Sequence, residues 1–241
     1  PAHADLLTGA RLPFGHFPSE EGAGRYRPLL PTLFELARTQ LAVAEDQAVL
    51  TANTVHLQAL DWSLHPGFGE AVGGTYAFVS DAEDPRRPNG FDTVVIDAVR
   101  SQLDTGAVLV VANLHQIDRA AHYNPPQYVP DVTAVDAPLA DLWDWIEGGE
   151  SGLTGRTVLA IAADHGRHRW DTTTEFPWMN HGDQCSGCRE IPLLLLGPGV
   201  RRGVVLASPV LFEDLGVTVG WLLGLDMPLA TIPNTVNLML C

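Results

Sequence analysis

The chain has 241 residues, of which 46% are hydrophobic and 18% are charged, so it is long and apolar enough to build a packed core. The formal net charge at pH 7 is −15, from 29 acidic residues against 14 basic ones, and every basic residue is arginine. This balance argues against a surface for nucleic acid or anionic membrane, because both partners would be repelled. A phosphate ligand stays compatible, since a bound divalent metal reverses the local charge.

The sequence shows no targeting or membrane segment. No apolar run approaches the ~18 residues of a membrane helix, and the longest, Ile191–Leu196, has the length of a strand. Three cysteines are too few for a disulfide scaffold at this size. The first residue is Pro1, not methionine, so we expect any targeting segment to lie upstream. Oligomeric state is not indicated.

Short apolar runs alternate with amphipathic stretches, which predicts an α/β fold with a largely parallel central sheet and helices on both faces. No break in composition marks a second domain, so we expect one domain over residues 1–241. Pro138 predicts a kink or a late start in the helix that contains it. In chain order, the predicted elements are a helix over Leu30–Thr39, a strand over Ala48–Ala52, a long loop or small insertion over His65–Gly90, overlapping strand and helix patterns over Thr93–Asp97 and Phe91–Leu103, a strand over Ala107–Asn113, a helix over Val132–Ile146, strands over Thr157–Ala163 and Ile191–Gly197, and a helix over Leu211–Leu223.

Asp118 and His122 follow the third of these strands and lie four residues apart, so one turn of helix places both on the same face. A carboxylate and an imidazole that face one point are suitable ligands for a divalent metal. An exposed i,i+4 ion pair is the alternative interpretation, which this segment taken alone favours.

Two further segments carry residues of the same types. Asp164 and His165 end another apolar strand, and Gly166 permits a backbone bend and a close ligand approach. An ordinary Asp turn is the alternative there. His181, followed by Gly182, precedes the next strand and by itself is typical of a loop histidine.

The three segments together indicate a metal site more strongly than any one of them does alone. Asp118, His122, Asp164, His165 and His181 supply two carboxylates and three imidazoles at or near predicted strand ends. Mixed nitrogen and oxygen ligands suit zinc first, with manganese or iron as alternatives. Five protein ligands exceed what one tetrahedral catalytic metal with an open position uses, so the sequence predicts two divalent metals.

The order D-x-x-x-H, then D-H-G after a hydrophobic strand, then H-G before another strand resembles the alkaline phosphatase superfamily. Within it, the chain is most similar to the nucleotide pyrophosphatase/phosphodiesterase-type members. The similarity extends over most of the chain, through Pro1–Gly9 (P-x-H-x-x-L-x-T-G), Pro31–Leu36, Tyr128 with Asp136, Pro192 with Gly197–Gly199, and Leu211–Pro228.

The resemblance implies an alkaline phosphatase-like fold, a small-molecule phosphate ester substrate and two metals. One metal is held by Asp118, His122 and His181. The other is held by Asp164 and His165, with an aspartate and the Ser or Thr nucleophile from upstream of Pro1. We therefore expect the nucleophile and the first strand to lie outside this chain. Members of this kind are often exported, which favours a periplasmic or extracellular location over a cytoplasmic one.

Three alternatives to a phosphatase or phosphodiesterase are a sulfatase, a phosphoglycerate mutase and a non-catalytic module. Sulfatases of the superfamily carry C-x-P-S-R or S-x-P-S-R, where this chain has Ala2 and His3 after the proline. They also bind one calcium through oxygen ligands, whereas three histidines favour softer metals. Cofactor-independent phosphoglycerate mutases contain a large inserted domain that this length cannot hold. A non-catalytic metal-binding module that keeps the fold is the third alternative, supported by the absence of the nucleophile.

Other polar residues lie beside these motifs. Arg119, Arg167 and His168 are candidates for contacting the ester, although solvent exposure is the favoured interpretation. Cys185 and Cys188 form a single C-x-x-C, interpreted as a local disulfide or two structural thiols. A full structural zinc site needs about four soft ligands, and Cys241 is the one cysteine left.

Overall fold

The computed structural model describes residues 2–11, 27–81, 91–169, 176–182, 185–206 and 208–230. Contacts divide the chain into two compact units: unit 1 comprises residues 1–79, 98–113 and 201–241, and unit 2 comprises residues 80–97 and 114–200. The single domain over residues 1–241 stays a prediction. Across the described ranges, every helix is too short or too polar to cross a membrane.

The described residues contain helices and strands in alternation. The α-helices are α1 (Ala2–Thr8), α2 (Leu33–Gln40), α3 (Asp92–Asp104), α4 (Gln116–Tyr123), α5 (Tyr128–Ala134), α6 (Asp136–Glu147), α7 (Ser186–Arg189) and α8 (Phe212–Leu222). The strands are β1 (Ala48–Ala52), β2 (Thr75–Phe78), β3 (Leu109–Asn113), β4 (Leu159–Ala162) and β5 (Leu193–Leu196). Short 3-10 helices cover Glu45–Gln47, Val55–Leu60, Glu70–Val72, Pro125–Gln127 and Pro177–Met179.

Unit 1 is built on a parallel sheet in the order β2–β1–β3. Val49 at the centre of β1 pairs with Thr75 of β2 on one side and Val110 of β3 on the other. All five residues of β1 are buried, as expected for a parallel strand covered on both faces. The predicted α/β fold with a parallel sheet is confirmed.

The start of α2 is fixed by the buried carboxylate of Glu35. Thr32 is the N-cap residue, and its backbone N–H donates to Glu35 Oε2 at 2.7 Å. Glu35 Oε1 accepts bonds from the N–H of Ser63 (3.0 Å), the hydroxyl of Ser63 (2.9 Å) and the N–H of Gly69 (2.8 Å). One fully buried carboxylate therefore holds the helix start and the loop at Ser63–Gly69 together.

Unit 2 contains α4, α5, α6 and an antiparallel pair, β4–β5, with Leu159 opposite Leu196 and Ala162 opposite Leu193. This pairing differs from the expected parallel arrangement. A parallel connection needs a crossover, usually an α-helix. In the described part of residues 163–192, the helical segments are single turns, Pro177–Met179 and α7. Apolar runs reveal that these strands exist but not their direction.

Three local predictions are corrected by the structure. Thr93–Asp97 is helical, within α3, because Val95, Ile96 and Val99 bury one helix face although their β-branched side chains are typical of strands. The predicted helix over Val132–Ile146 is two helices, α5 and α6, with Pro138 in the first turn of α6, which confirms a break. Strand β2 lies inside the predicted loop over His65–Gly90.

We expect Glu35→Ala to lower the free energy of unfolding by at least about 3 kcal/mol, since several buried donors lose their acceptor. Glu45→Ala is the matched control, because the Glu45 side chain is 65% exposed and its carboxylate lies 4.0 Å from the Arg38 guanidinium. That control should change stability by less than about 0.5 kcal/mol. Urea denaturation of the two variants measures the difference, and equal effects would contradict the role given to Glu35.

Candidate metal centre

Helix α4 places Asp118 and His122 on one face, as the spacing predicts. The start of α4 is held by buried Asp92, whose Oδ1 accepts the Gln116 N–H at 2.9 Å, while Gln116 Oε1 accepts the Asp92 N–H at 3.1 Å. On another face, Ala120 and Ala121 are buried. His122 Nε2 lies 3.5 Å from Asp118 Oδ1, so both side chains point to the same place.

Asp164 and His165 follow the end of β4. His165 Nδ1 lies 3.1 Å from the carbonyl oxygen of Gly166. Because a carbonyl only accepts, Nδ1 carries the hydrogen, and in the neutral ring Nε2 carries the lone pair. That Nε2 lies 3.6 Å from Asp164 Oδ2 and 3.7 Å from Asp118 Oδ1. The backbone carbonyl thus selects the tautomer that binds a metal through Nε2.

His181 follows the 3-10 helix Pro177–Met179 and lies beside the other two histidines. Its Nε2 is 2.9 Å from His122 Nε2 and 3.5 Å from Asp118 Oδ1. Its ring stacks on His165, with ring centroids 3.8 Å apart and planes 12° apart. The histidine that the sequence alone indicated least clearly is therefore in contact with both other segments.

The structure brings all five predicted residues together, and we call them the metal-ligand cluster. The ligand atoms of Asp118, His122 and His181 lie within 4.8 Å of one another and form a group that could hold a metal ion. His165 contacts this group through Asp118, and Asp164 contacts His165. All five residues belong to unit 2.

The electrostatics of the cluster fit a cation. Three imidazole Nε2 atoms lie within 3.7 Å of Asp118 Oδ1. Nitrogen lone pairs that face a carboxylate oxygen repel it unless a proton or a cation lies among them. Burial, helped by nearby His165, lowers the pKa of His181 to about 4, so this ring is neutral at pH 7. A neutral imidazole is the form that ligates a metal.

Arg167 is a positioning residue, whereas the sequence indicated it only as a candidate for contacting the ester. Its side chain is only 6% exposed, so the expected solvent exposure is wrong. The guanidinium pairs with the Asp118 carboxylate and donates to the carbonyl oxygens of Asp118 (3.2 Å), Trp178 (3.1 Å) and Met179 (3.3 Å). It therefore connects α4 to the 3-10 helix that precedes His181.

The other two candidates for ester contact have local contacts of their own. The Arg119 guanidinium lies 5.8 Å from the ring centroid of Tyr123. The backbone N–H of His168 donates to the carbonyl oxygen of Asn180 at 3.1 Å, next to His181. A role of Arg119 or His168 in substrate binding stays a prediction.

Sequence comparison finds two curated relatives, while no family model matches the chain. The phosphopentomutase of Herpetosiphon aurantiacus is 34% identical over 123 residues, which cover 50% of this chain and 27% of that protein. The arylsulfatase K of Danio rerio is 30% identical over 89 residues, covering 37% of this chain and 15% of that protein. The chain matches about a quarter or less of the length of these relatives.

Solved structures with a similar fold cover nearly the whole chain. The lipoteichoic acid synthase LtaP of Listeria monocytogenes has a TM-score of 0.57 at 14% identity, over 99% of this chain and 63% of that one. A candidate sulfatase from Bacteroides thetaiotaomicron has a TM-score of 0.54 at 16% identity, over 98% and 60%. At sequence identities this low, the structural similarity shows only that these proteins share a fold with this chain.

The fold and the partial sequence matches agree with the resemblance that the motifs indicate. The chain has an alkaline phosphatase-like α/β fold, and its resemblance to the alkaline phosphatase superfamily is confirmed. The nucleotide pyrophosphatase/phosphodiesterase-type subtype is not specified by the relatives, which include a mutase and a sulfatase.

We expect the free energy of unfolding of the metal-free chain to fall as pH is lowered from about 6.5 to about 4. Burial lowers the pKa of His181 to about 4, so in this window the unfolded chain binds a proton that the folded chain excludes. The contribution of His181 to the free energy of unfolding is complete at pH values above the pKa that this residue has in the unfolded chain. It is lost as the pH falls towards the lower pKa that His181 has in the folded chain. Urea denaturation across this window should show a shallower pH dependence for His181→Gln, and identical slopes would contradict the expectation.

We expect Arg167→Met to weaken zinc binding by about 10- to 100-fold, as is usual when a partner of a metal ligand is removed. Arg169→Met is the control, because the Arg169 side chain is 54% exposed and pairs with Glu190 at 3.0 Å. Competition with a chromophoric chelator measures both affinities. Equal affinities in the two variants would show that Arg167 does not position Asp118.

Proposed function

We propose that this chain carries the metal centre of a metal-dependent hydrolase that acts on phosphate esters, either monoesters or diesters. The observation that carries the proposal is the convergence of Asp118, His122 and His181, whose ligand atoms lie within 4.8 Å of one another. His165 and Asp164 extend the group on one side. Zinc is the favoured metal for such nitrogen and oxygen donors, with manganese or iron as alternatives.

The residues of the cluster have separate tasks in this proposal. Asp118, His122 and His181 hold one metal, and Asp164 and His165 contribute to a second. Bound divalent metals would supply charge neutralisation at the ester oxygens and activation of an oxygen nucleophile. From the resemblance to the superfamily we infer that this nucleophile, a Ser or Thr, and one further metal-binding aspartate lie upstream of Pro1.

Within the cluster, neighbouring groups prepare the ligands. The Gly166 carbonyl accepts from His165 Nδ1 and so keeps the Nε2 lone pair directed at Asp118. Burial keeps His181 in its neutral form. The Arg167 guanidinium fixes the Asp118 carboxylate and partly offsets its charge. A preorganised ligand set of this kind loses little conformational entropy when the metal binds.

The donor set supports a phosphate ester over a sulfate ester. Calcium, which sulfatases of the superfamily use, prefers six to eight oxygen ligands. Three of the five proposed ligands here are imidazoles. A sulfatase is nonetheless the second candidate, because the arylsulfatase K of Danio rerio is 30% identical to 89 residues of this chain. A non-catalytic metal-binding module is the third.

Hydrolysis of a panel of nitrophenyl esters tests the proposal. The chain extended by its native upstream segment is loaded with zinc or manganese and assayed against a phosphate monoester, a phosphate diester and a sulfate ester. We expect turnover of a phosphate ester that falls at least about 100-fold in Asp118→Asn, because the carboxylate oxygen shared by the cluster is lost. Asp141→Asn, the same change at an exposed position of α6, should retain full activity.

Two results would contradict the proposed function. Turnover of the sulfate ester alone would favour the sulfatase. Stoichiometric metal in a folded protein that hydrolyses none of the three esters would favour the non-catalytic module. Elemental analysis of the same preparations separates a failure to bind metal from a failure of chemistry.

A further inference from the structure

A second group of potential metal ligands lies in unit 2, outside the metal-ligand cluster. The donor atoms of His168, Cys185 and Cys188 all lie within 4.8 Å of one another. We propose that these three residues form a separate zinc site, which we call the Cys–His site.

The donor types of the Cys–His site select zinc. Two thiolates and one imidazole are soft to borderline ligands, and zinc is commonly bound by sulfur and nitrogen donors of these types. Cys188 is buried, and His168 and Cys185 are half-buried, so the site is partly shielded from solvent. Three protein ligands leave the fourth tetrahedral position to water or to another side chain.

The backbone between the cysteines has the form of a metal-binding turn. Cys185 precedes the single turn α7, and the Cys188 N–H donates to Cys185 Sγ at 3.3 Å. An N–H directed at a sulfur stabilises the thiolate, which is the form that binds zinc. The C-x-x-C spacing thus places both sulfurs on one side of a tight turn.

Close packing of two glycines brings His168 to this turn. A Cβ at Gly166 would collide with the carbonyl oxygen of Gly187, and a Cβ at Gly187 would collide with the carbonyl oxygen of Arg167. The Gly166 N–H donates to the carbonyl oxygen of Cys188 at 2.8 Å. Two segments distant in the chain are therefore in direct backbone contact, and a zinc ion would join their side chains as well.

The proposed zinc would stabilise the segments that carry the metal-ligand cluster. His168 lies three residues after His165, and its N–H is bonded to the carbonyl oxygen of Asn180, the residue before His181. The turn with Cys185 and Cys188 follows His181 along the chain. A zinc ion at the Cys–His site therefore limits the relative movement of His165 and His181, whose rings stack at 3.8 Å.

Sequence analysis interpreted the same cysteines as a disulfide or as structural thiols. In the structure both Cys185 and Cys188 are thiols. His168 adds a nitrogen ligand to the two sulfurs, which the spacing of the cysteines alone does not reveal. A disulfide between Cys185 and Cys188 would exclude zinc from the site, so it is the competing outcome of the test.

Cobalt substitution distinguishes the two metal sites of unit 2. The reduced 241-residue chain is titrated anaerobically with Co²⁺, which gives an intense thiolate-to-cobalt charge-transfer band in the near ultraviolet. The metal-ligand cluster offers only oxygen and nitrogen donors, so this band reports the Cys–His site alone. We expect a band that grows to saturation as cobalt is added and disappears when zinc is added.

Variants assign the band to its ligands. Cys185→Ser and Cys188→Ser should each abolish it, and His168→Gln should weaken cobalt binding at least about tenfold. Ser186→Ala, an exposed change between the cysteines, is the matched control and should retain the band. Asp118→Asn should also retain it, so the result does not depend on the proposed hydrolase activity.

The proposal is overturned if the reduced wild-type chain gives no thiolate-to-cobalt band. It is equally overturned if the band persists in Cys188→Ser, or if thiol counting of protein purified without reductant finds a Cys185–Cys188 disulfide and no zinc bound there. Circular dichroism confirms that each variant is folded, and the wild-type titration requires no substitution.

Discussion

One oxygen atom, Asp118 Oδ1, organises the candidate metal centre. It faces the Nε2 atoms of three histidines from three segments of the chain, and it also pairs with the Arg167 guanidinium. The lone pairs of the three Nε2 atoms repel the negative oxygen, so this arrangement is favourable only when positive charge lies nearby. The guanidinium supplies part of that charge, and the proposed metals would supply the rest.

The local structure of unit 2 holds in place the side chains that surround Asp118 Oδ1. Asp92 fixes the first turn of α4, from which Asp118 and His122 project. Gly166 both selects the tautomer of His165 and, through its contact with the Cys188 carbonyl, anchors the segment after β4. Asp92 and Gly166 therefore hold in place the segments that carry the proposed ligands, and the loss of such partners usually weakens metal binding.

Much of the site followed from the sequence because its residues stand at recognisable places. The i,i+4 spacing of Asp118 and His122 corresponds to one face of α4, and Asp164 and His165 directly follow β4. The position of His181 was predictable only in combination, since no local pattern reveals which loop packs against α4. The burial of Arg167 was not predicted, because adjacency to a motif in the sequence does not reveal whether a side chain turns inward.

The prediction of helices and strands succeeded where one sequence pattern was strong, and it failed where two patterns overlapped. β1 was predicted with its observed bounds, since all five of its residues are buried and apolar or small. The β-branched run in α3 gave a strand signal that the helical burial of Val95, Ile96 and Val99 overrides. The antiparallel direction of β5 depends on the connection after β4, which the apolar pattern of the strand does not encode.

The most direct test of the account is anomalous diffraction at the zinc absorption edge from crystals of the zinc-loaded chain. We expect an anomalous peak coordinated by Asp118, His122 and His181. Zinc bound elsewhere in well-ordered crystals, with no peak within coordination distance of Asp118, would contradict the proposed metal centre.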